Sequence, residues 1–259
     1  MVRKLATWNV NSIRAREETV LRWLEMEAPD VLCMQETKVQ DDLFPAGAFL
    51  EMGYSLSLHG QKTWNGVAVL SREEPGSVST GLPDGFLSEQ RRLIMVRFGD
   101  LTVVNVYVPN GGEVGLDRFR DKLKFLDRLR EYLRELSGSG PLVVMGDFNV
   151  APGDDDVYDP AALDGTVCFH PEERSRIRDL VSDGMLDAFR RFNPEGRAFS
   201  WWDYRAAAFR RGMGMRLDLV LLNGAAAGMA AGCRIDTGPR GWDRPSDHAP
   251  VVLELSTPS

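Results

Sequence analysis

Two polar residues follow a buried apolar run in the segment Gly146-Asp147-Phe148-Asn149. Residues 142–145 before it are all apolar, and a run of this kind bounded by turn residues predicts a fully buried strand. Residues at i and i+2 of a strand project to the same side, so the Asp147 carboxylate and the Asn149 amide leave the strand together. Gly146 allows backbone or ligand to approach closely. The pair could grip a phosphate and a water molecule, or a metal. A simple strand-to-loop turn capped by Asp and Asn explains the pattern equally well.

Polar residues also stand at the ends of the other predicted strands. If these ends converge, they supply carboxylate and amide oxygens, which suit Mg²⁺ or Mn²⁺, together with one imidazole. The sequence holds no P-loop, no Gly-x-Gly-x-x-Gly motif and no Ser or Cys nucleophile with a paired base. A bound metal with one His/Asp pair favours attack of water on a phosphodiester. The residues are Asn9, Glu36, Tyr107, Asn110, Asp147, Asn149, Asp218, Asp247 and His248.

Two of these carboxylates have specific structural requirements. Glu36 comes just past a predicted buried strand, which is a good place for a metal ligand; the alternative is a surface glutamate paired with Lys38. Asp218 lies near the start of the apolar run 217–222. Because a buried charge is costly unless it is paired, Asp218 requires a partner.

Hydrophobic periodicity predicts the elements that position these residues. The clearest is a helix over 116–136, whose leucines recur at helical spacing, and Ser12 is a predicted N-cap for a helix reaching about residue 27. Strand-helix alternation gives way to hairpins, so the sheets are expected to be mixed. Strands are predicted at 4–9, 31–34, 54–58, 66–70, 92–98, 101–108, 142–149, 199–204, 217–222 and 251–255, further helices at 172–181 and 185–192, and loops at 73–88, 154–156 and 206–214.

Composition and charge bound the class of protein. The 259 residues fit one domain, 1–259, and their 43% hydrophobic content suffices for a sizeable core. No signal peptide or membrane-spanning run is found, and three cysteines without a Cys-x-x-Cys pair indicate reduced thiols in a cytoplasmic protein. The net charge of −7 argues against nucleic acid when taken alone. Several arginine clusters are either solvated faces or a local positive rim, and net charge does not decide between them.

The strand-end motifs as a set resemble the exonuclease III family of abasic-site endonucleases. This family belongs to the wider endonuclease/exonuclease/phosphatase group with a deoxyribonuclease I-like fold. Each short motif alone is weak evidence, but seven motifs in order from about residue 3 to 255 are specific evidence for the resemblance. The motifs are Trp8-Asn9-Val10-Asn11, Gln35-Glu36-Thr37-Lys38, Tyr107-Val108-Pro109-Asn110-Gly111, Gly146-Asp147-Phe148-Asn149, Trp202-Asp203-Tyr204-Arg205, Arg216-Leu217-Asp218 and Ser246-Asp247-His248.

The resemblance implies an α/β fold, a four-layer sandwich of two mixed β-sheets flanked by helices. It also implies hydrolysis of the phosphodiester 5′ to abasic sites in double-stranded DNA, with 3′→5′ exonuclease, 3′-phosphodiesterase and 3′-phosphatase activities on blocked 3′ ends. The implied protein is a monomer with no membrane partner.

The same resemblance implies a Mg²⁺ site, in which Mn²⁺ can substitute. Glu36 matches the principal ligand, helped by Asn9, and Asp247 is placed near the metal. Asp147 and Asn149 complete the surroundings of the ion.

The implied catalytic residues are Tyr107, Asp147, Asn149, Asp218 and His248. Asp147 matches the aspartate that orients or deprotonates the attacking water. His248 donates to a phosphate oxygen while Asp218 holds and charges the imidazole. Tyr107 matches a tyrosine that contacts the scissile phosphate, and Asn149 a phosphate-binding amide.

Substrate contacts are implied at two further places. Asn110 matches a second phosphate-binding amide, and Trp201 lies where the family places an aromatic wall of the abasic-sugar pocket; a core aromatic is the alternative for Trp201. The loop with Arg210, Arg211 and Met213 lies where relatives insert side chains into the DNA groove, and a mobile surface loop is the alternative.

Two other functions share the same fold. One is a phosphoesterase acting on inositol phosphates or lipid head groups. The other is a non-catalytic RNA-binding regulator, since fold does not by itself fix function. Every expected catalytic position is filled here, which disfavours the regulator.

Overall fold

Two β-sheets lie face to face in the computed structural model, which describes residues 4–256. The strands in this range are β1 (Lys4–Asn9), β2 (Val31–Gln35), β3 (Ser55–His59), β4 (Val67–Ser71), β5 (Ser77–Thr80), β6 (Leu93–Phe98), β7 (Leu101–Tyr107), β8 (Leu142–Asp147), β9 (Leu186–Asp187), β10 (Trp201–Trp202), β11 (Gly214–Met215), β12 (Asp218–Leu222), β13 (Ala230–Ile235) and β14 (Val251–Leu255). The α-helices are α1 (Ile13–Glu27), α2 (Ala46–Glu51), α3 (Asp117–Leu136), α4 (Pro160–Leu163), α5 (Pro171–Ser182), α6 (Ala188–Phe192) and α7 (Gly224–Met229).

Both large sheets are mixed, as the sequence predicts. Sheet I has the strand order β13-β14-β1-β2-β4-β3, and sheet II has the order β5-β6-β7-β8-β12-β9. In sheet I, β1 and β2 run parallel, and in sheet II, β7 and β8 run parallel. The other neighbours in both sheets pair antiparallel.

The side chains of β8 show how the layers form. Val143 and Met145 pack in the core between the two sheets, whereas Leu142 and Val144 point the other way, against α3 and α5. This alternation follows from the two-residue period of a strand. Helices α1 and α2 cover the outer face of sheet I. The four-layer α/β sandwich predicted from the sequence is therefore confirmed.

The two longest helices agree with their predicted bounds. The buried stripe of α3 includes Phe119, Leu123, Leu126 and Leu133. Ser12 stands at the N-cap position of α1, but its side chain makes no capping hydrogen bond. Its backbone N–H instead donates to the Glu36 carbonyl at 2.7 Å, which ties the start of α1 to the loop after β2. No helix within residues 4–256 combines the length and the hydropathy needed to cross a membrane.

Several short elements differ from the prediction. The predicted loop 73–88 contains the edge strand β5, whose four residues are all exposed and so carry no hydrophobic signal. The predicted helix 185–192 begins instead as β9, because pairing with β12 overrides local preference. The predicted strand 199–204 is reduced to β10. Helices α2, α4 and α7 and strand β13 are short or weakly periodic and were not predicted.

Candidate active site

The ends of several central strands meet at one rim of the gap between the sheets. Asp147 lies two residues beyond Met145, whose side chain packs in the inter-sheet core, so Asp147 keeps that face of β8. The same alternation places Asn9 of β1, Tyr107 of β7 and Asp218 of β12 at this rim. In sheet II, Asp147 is paired in register with both Tyr107 and Asp218.

Gly146 makes this convergence sterically feasible. Its φ is +152°, and a Cβ at this position would lie 1.9 Å from the Val106 carbonyl oxygen on the neighbouring strand. Any side chain here would push β7 and β8 apart at the point where Tyr107 and Asp147 are paired. The close approach expected at Gly146 is therefore one of backbone to backbone.

The amide of Asn9 links the two sheets at the rim. Its Nδ2 donates to Glu36 Oε1 at 2.8 Å and to Asp147 Oδ2 at 2.9 Å. Asn9 is fully buried, and its Oδ1 accepts the backbone N–H of Asn11 at 3.0 Å. One side chain therefore spaces a carboxylate of sheet I from a carboxylate of sheet II.

Glu36 lies one residue past β2 with a left-handed backbone, φ +53°. Its Oε1 accepts the Tyr107 hydroxyl at 2.9 Å, and the Lys38 ammonium lies 2.7 Å from Oε2. Burial acts to raise the pKa of Glu36, but Lys38 and Asn9 together outweigh it and hold that pKa below its ordinary value. Burial, with Glu36 and Asp147 nearby, holds the pKa of Tyr107 well above its usual range. The Tyr107 hydroxyl is thus a proton donor beside an ionised carboxylate.

Asp147 has the opposite electrostatic character. Burial raises its pKa to about 7; His248 acts against this rise, and Asp218 adds to it. Its Oδ1 accepts the backbone N–H of Asn149 at 2.8 Å. A carboxyl that changes charge near neutral pH is suited to accept a proton from water.

His248 and Asp218 form a buried pair on the same side of the site. The Nδ1 of His248 lies 2.8 Å from Asp218 Oδ2, and its Nε2 lies 3.7 Å from Asp147 Oδ2. Burial acts to lower the pKa of His248, but Asp218 and then Asp147 outweigh it and raise the pKa to about 10. The partner that the buried charge of Asp218 requires is therefore this imidazolium.

Two amides lie next to the carboxylates. Asn149 has φ +50°, and its Nδ2 donates to Val108 O at 3.0 Å and to Asp147 Oδ2 at 3.2 Å. The exposed Asn110 donates from Nδ2 to Asn149 Oδ1 at 3.1 Å. The two predicted phosphate-binding side chains are thus in direct contact.

Asp247, next to His248 in the chain, is a further carboxylate of the site. Its Oδ1 accepts from Asn11 Nδ2 at 2.9 Å, and its Oδ2 accepts the indole N–H of Trp201 at 3.0 Å. Burial acts to raise the pKa of Asp247, but His248 and these hydrogen bonds lower it overall. Trp201 is half-buried, packs beside Cys168 and its neighbours, and bridges in β fashion to His248. Trp201 therefore lies beside the predicted catalytic residues and also packs in a hydrophobic cluster.

The loop with Arg210, Arg211 and Met213 differs from the rest of the predicted set. Arg210 and Arg211 are exposed, and Arg211 contacts only the backbone of its own loop, at Ala206 O. Met213 is half-buried against the cluster around Trp202. The structure therefore leaves two arginines available to a partner and shows Met213 as a packing residue of the loop.

The acidic loop and one arginine cluster have structural partners. Asp156 is buried and accepts two hydrogen bonds from Arg216, at 2.7 and 3.2 Å, and it also pairs with Arg190. Asp156 of this predicted loop is therefore a buried structural residue, and it is neither solvated nor free to hold a cation. Arg190 in turn belongs to a buried network and not to a solvated face.

Some residues of the site were not singled out from the sequence. Asn11 holds Asp247, and Lys38 lies against Glu36 and donates to Asn11 Oδ1 at 2.5 Å. Ser200 Oγ accepts the backbone N–H of Asp218 at 3.0 Å, and Ser246 Oγ donates to Asn9 O at 2.6 Å. The sequence indicated Lys38 only as a partner of Glu36 in the surface alternative, and this ion pair is present, at a largely buried Glu36. Asn11 lies two residues from Asn9, so proximity could have indicated it. Ser200 gives no comparable signal.

Two overlapping groups of side chains could hold a divalent metal. Asp147, Asp218 and His248 offer ligand atoms within 4.8 Å of one another. However, the imidazole nitrogen of His248 that faces Asp218 is already paired with it. Glu36 and Asp147, spaced by the Asn9 amide, form the second group, which is rich in oxygen and so suits a hard cation.

Residues 6–248 match the Endonuclease/Exonuclease/phosphatase family. The chain is 36% identical to "Exodeoxyribonuclease III" of Haemophilus influenzae over 97% of this chain and 99% of that protein. Its fold is similar to that of the 3′ phosphatase NExo from Neisseria bound to a product DNA hairpin, with a TM-score of 0.96, 39% identity, and coverage of 98% of this chain and 100% of that one. An AP endonuclease from Archaeoglobus fulgidus gives a TM-score of 0.94 at 39% identity, with coverage of 99% and 100%.

The fold and the site together define a metal-dependent phosphoesterase architecture. The chain belongs to the endonuclease/exonuclease/phosphatase family, and the resemblance to its exonuclease III branch is confirmed.

Proposed function

We propose that this chain is a Mg²⁺-dependent DNA repair nuclease, acting as one catalytic domain over residues 1–259, of which 1–3 and 257–259 lie outside the described structure. It hydrolyses the phosphodiester 5′ to abasic sites in double-stranded DNA and trims blocked 3′ ends. The observation that carries the proposal is the arrangement of Asp147 between the Asn9 amide and His248, at 2.9 and 3.7 Å. Asp147 as the proton acceptor, the His248 imidazolium as the charged donor and the ionised Glu36 carboxylate then surround one shared site. Relatives named exodeoxyribonuclease III, 3′ phosphatase and AP endonuclease support the same conclusion.

Asp147 takes a proton from the attacking water in this reaction. Its buried carboxyl has a pKa of about 7, so the ionised form is available near neutral pH and accepts a proton readily. The backbone N–H of Asn149 holds Oδ1 and the Asn9 amide holds Oδ2, which orients the carboxylate.

The imidazolium of His248 donates from Nε2 to a nonbridging phosphate oxygen. Asp218 pairs with Nδ1 and helps to raise the pKa of His248 to about 10, which keeps the ring charged. Charge grows on the phosphate oxygens as water attacks, so fixed donors stabilise the transition state more than the ground state. The amides of Asn110 and Asn149 and the hydroxyl of Tyr107 serve as the other donors.

Glu36 would be the principal ligand of a divalent metal, with Asn9, Asp147, Asn149 and Asp247 around it. A bound Mg²⁺ or Mn²⁺ would supply positive charge where charge develops in the reaction. In the metal-free protein the Lys38 ammonium neutralises Glu36. Trp201 forms a wall of the sugar pocket, and Arg210, Arg211 and Met213 contact the duplex. The protein acts as a monomer, and its three buried free thiols support a cytoplasmic location.

One assay tests the proposal. Purified protein with Mg²⁺ is incubated with a duplex carrying one abasic site, with and without EDTA, beside an undamaged duplex and a duplex with a 3′-phosphate. The expected result is metal-dependent incision at the abasic site that leaves a 3′-hydroxyl. Hydrolysis of an inositol phosphate but not of DNA would favour the lipid-type phosphoesterase, and RNA binding without any cleavage would favour the regulator.

A further inference from the structure

Lys122 on α3 has no exposed surface, yet it carries an ammonium group. Its Nζ donates to the Asn110 carbonyl oxygen at 3.0 Å and to the Asn149 carbonyl oxygen at 2.6 Å, and it forms an ion pair with Glu173 of α5. The thiol of Cys168 lies further away, at 4.0 Å. An ammonium has three N–H donors and no acceptor; the two carbonyls accept from two of them, and the Glu173 carboxylate balances the charge.

Stability alone does not explain this buried pair. Replacing a buried ion pair by well-packed apolar residues is often neutral or stabilising, so such a pair is weak evidence of a stabilising role. The reason for a lysine here must then lie in what its ammonium contacts. Both carbonyl oxygens belong to asparagines whose side chains touch each other in the active site, Asn110 Nδ2 to Asn149 Oδ1 at 3.1 Å.

The backbone at and beside these two carbonyls is in the left-handed region. Asn149 has φ +50°, a conformation that asparagine adopts more readily than most residues, and the ammonium of Lys122 contacts the carbonyl of this residue. Gly111, next to Asn110, has φ +95°, and a Cβ there would lie 3.0 Å from Lys122 Cδ. Glu173 is itself fixed, because its Oε2 accepts the backbone N–H of His170 at 3.0 Å at the start of α5. The ammonium is thus held in place on one side and holds both loops on the other.

We propose that Lys122 is a positioning residue that sets the directions of the Asn110 and Asn149 side chains. Lys122 touches no substrate and acts through the two carbonyl oxygens. The inference rests on the proposed function, in which these amides hold the scissile phosphate.

The test separates positioning from stability with a double variant, Lys122→Met/Glu173→Met. The single variant Lys122→Met leaves Glu173 buried without its cation and is expected to be strongly destabilised. In the double variant both charges are gone, so the thermal midpoint is expected to rise above that of the single variant, while the loss of the hydrogen bonds to Asn110, Asn149 and His170 keeps it below that of the wild type. We expect kcat on an abasic duplex to stay at least about 10-fold down, part of the ~10²–10³-fold cost of removing a transition-state donor, with KM nearly unchanged.

The control lies on the same two helices, where Arg130 of α3 pairs with Asp183 at the end of α5 at 2.5 and 2.9 Å. This pair is more exposed than Lys122 and Glu173, and Asp183 also pairs with Arg134. Neither residue contacts Asn110 or Asn149 in the described hydrogen bonds, so we expect the kcat of Arg130→Met/Asp183→Met to equal that of the wild type. Recovery of kcat together with stability in the Lys122/Glu173 double variant would overturn the proposal, because a purely structural pair predicts that recovery.

A second measurement does not depend on DNA cleavage. The side-chain amide signals of Asn110 and Asn149, followed by NMR in the metal-free protein, are expected to shift in the Lys122/Glu173 double variant and to stay in place in the control. Unchanged amide signals would also refute the positioning role. An inactive wild-type protein would instead count against the proposed function, and the amide signals would still decide the role of Lys122.

Discussion

Two carboxylates at the rim of the sandwich accept hydrogen bonds from the same amide, yet their pKa values shift in opposite directions. Glu36 follows a strand of sheet I, and Asp147 ends a strand of sheet II; Asn9 Nδ2 donates to both. The pKa of Glu36 lies below its ordinary value, whereas the pKa of Asp147 is raised to about 7. Burial acts to raise both, so the difference comes from the extent of burial and from the neighbouring charges.

Those neighbours assign different chemistry to the two sheets. The ammonium of Lys38 lies 2.7 Å from Glu36 and keeps it ionised, as a metal ligand must be. Asp147 is more completely buried and pairs across the sheet with Asp218, another acid. Groups whose surroundings separate their pKa values can take separate roles in one reaction. In the proposed mechanism, sheet I therefore offers the cation site, and sheet II offers the proton acceptor.

The largest expected effect comes from removing the proton acceptor. Asp147→Asn keeps the size of the side chain and one of its two accepting oxygens, so we expect the fold to be retained. We expect kcat to fall by at least ~10²–10⁴-fold, the usual range for general acid–base help, and excess Mn²⁺ should not restore it. Single-turnover incision of an abasic duplex gives the rate, and circular dichroism checks the fold. Near-normal incision would remove Asp147 from the mechanism.

The matching change on sheet I should affect the metal first. Glu36→Gln removes a charged ligand of the same size, and we expect the affinity for Mn²⁺ to fall by at least about 10-fold. Calorimetric titration of the protein with Mn²⁺ measures this without any activity assay. High metal concentration should recover part of the incision rate, in contrast to Asp147→Asn. Equal loss of metal affinity in both variants would contradict the division of roles between the sheets.

The pKa of His248 tests a smaller part of the sheet II assignment, namely that Asp218 keeps the imidazole ring charged. In the metal-free wild type its ring should stay protonated until the pH nears 10. Because this pKa is raised above the ordinary 6.5, the bound proton stabilises the fold fully below pH 6.5, and that contribution is lost as the pH rises towards 10. In Asp218→Asn the pKa should fall towards 6.5, as observed in ring-proton NMR spectra against pH. An unchanged titration would show that Asp218 does not set the charge.

The smallest effect is expected for a change away from both carboxylates, in the loop that carries Arg210 and Arg211. Arg210→Gln/Arg211→Gln should leave kcat unchanged and lower the slope of log affinity against log salt by about 1 to 2, since each phosphate contact contributes nearly one. Fluorescence anisotropy with an abasic duplex over a salt series measures the slope. The control, Arg128→Gln/Arg134→Gln, removes two positive charges from α3 and not from this loop, and its slope is expected to equal that of the wild type. Identical slopes in wild type and loop variant would refute DNA contact by this loop.

The sequence predicted the fold best where hydrophobic periodicity was strong. The leucine stripe of α3 and the apolar run of β8 carry enough repeats to identify helix and strand. It failed at β5 and β9, which are short and owe their strand state to pairing with a neighbour. At the site, the types and spacing of Asp147 and Asn149 indicated phosphate or metal chemistry. The contribution of Lys122 was hidden, because a lysine within an amphipathic helix looks like a surface residue.

The sequence by itself determined which side chains face the gap between the sheets, because the two-residue period of a strand places Asn9 and Asp147 on the same side as the core residues before them. Only the tertiary structure decided in which direction the pKa of each carboxylate shifts. Asn9 meets Asp147 across 138 positions of the chain, and Asp218 meets His248 across 30. A pKa depends on burial and on charges within a few ångströms, and both are set when distant segments pack together.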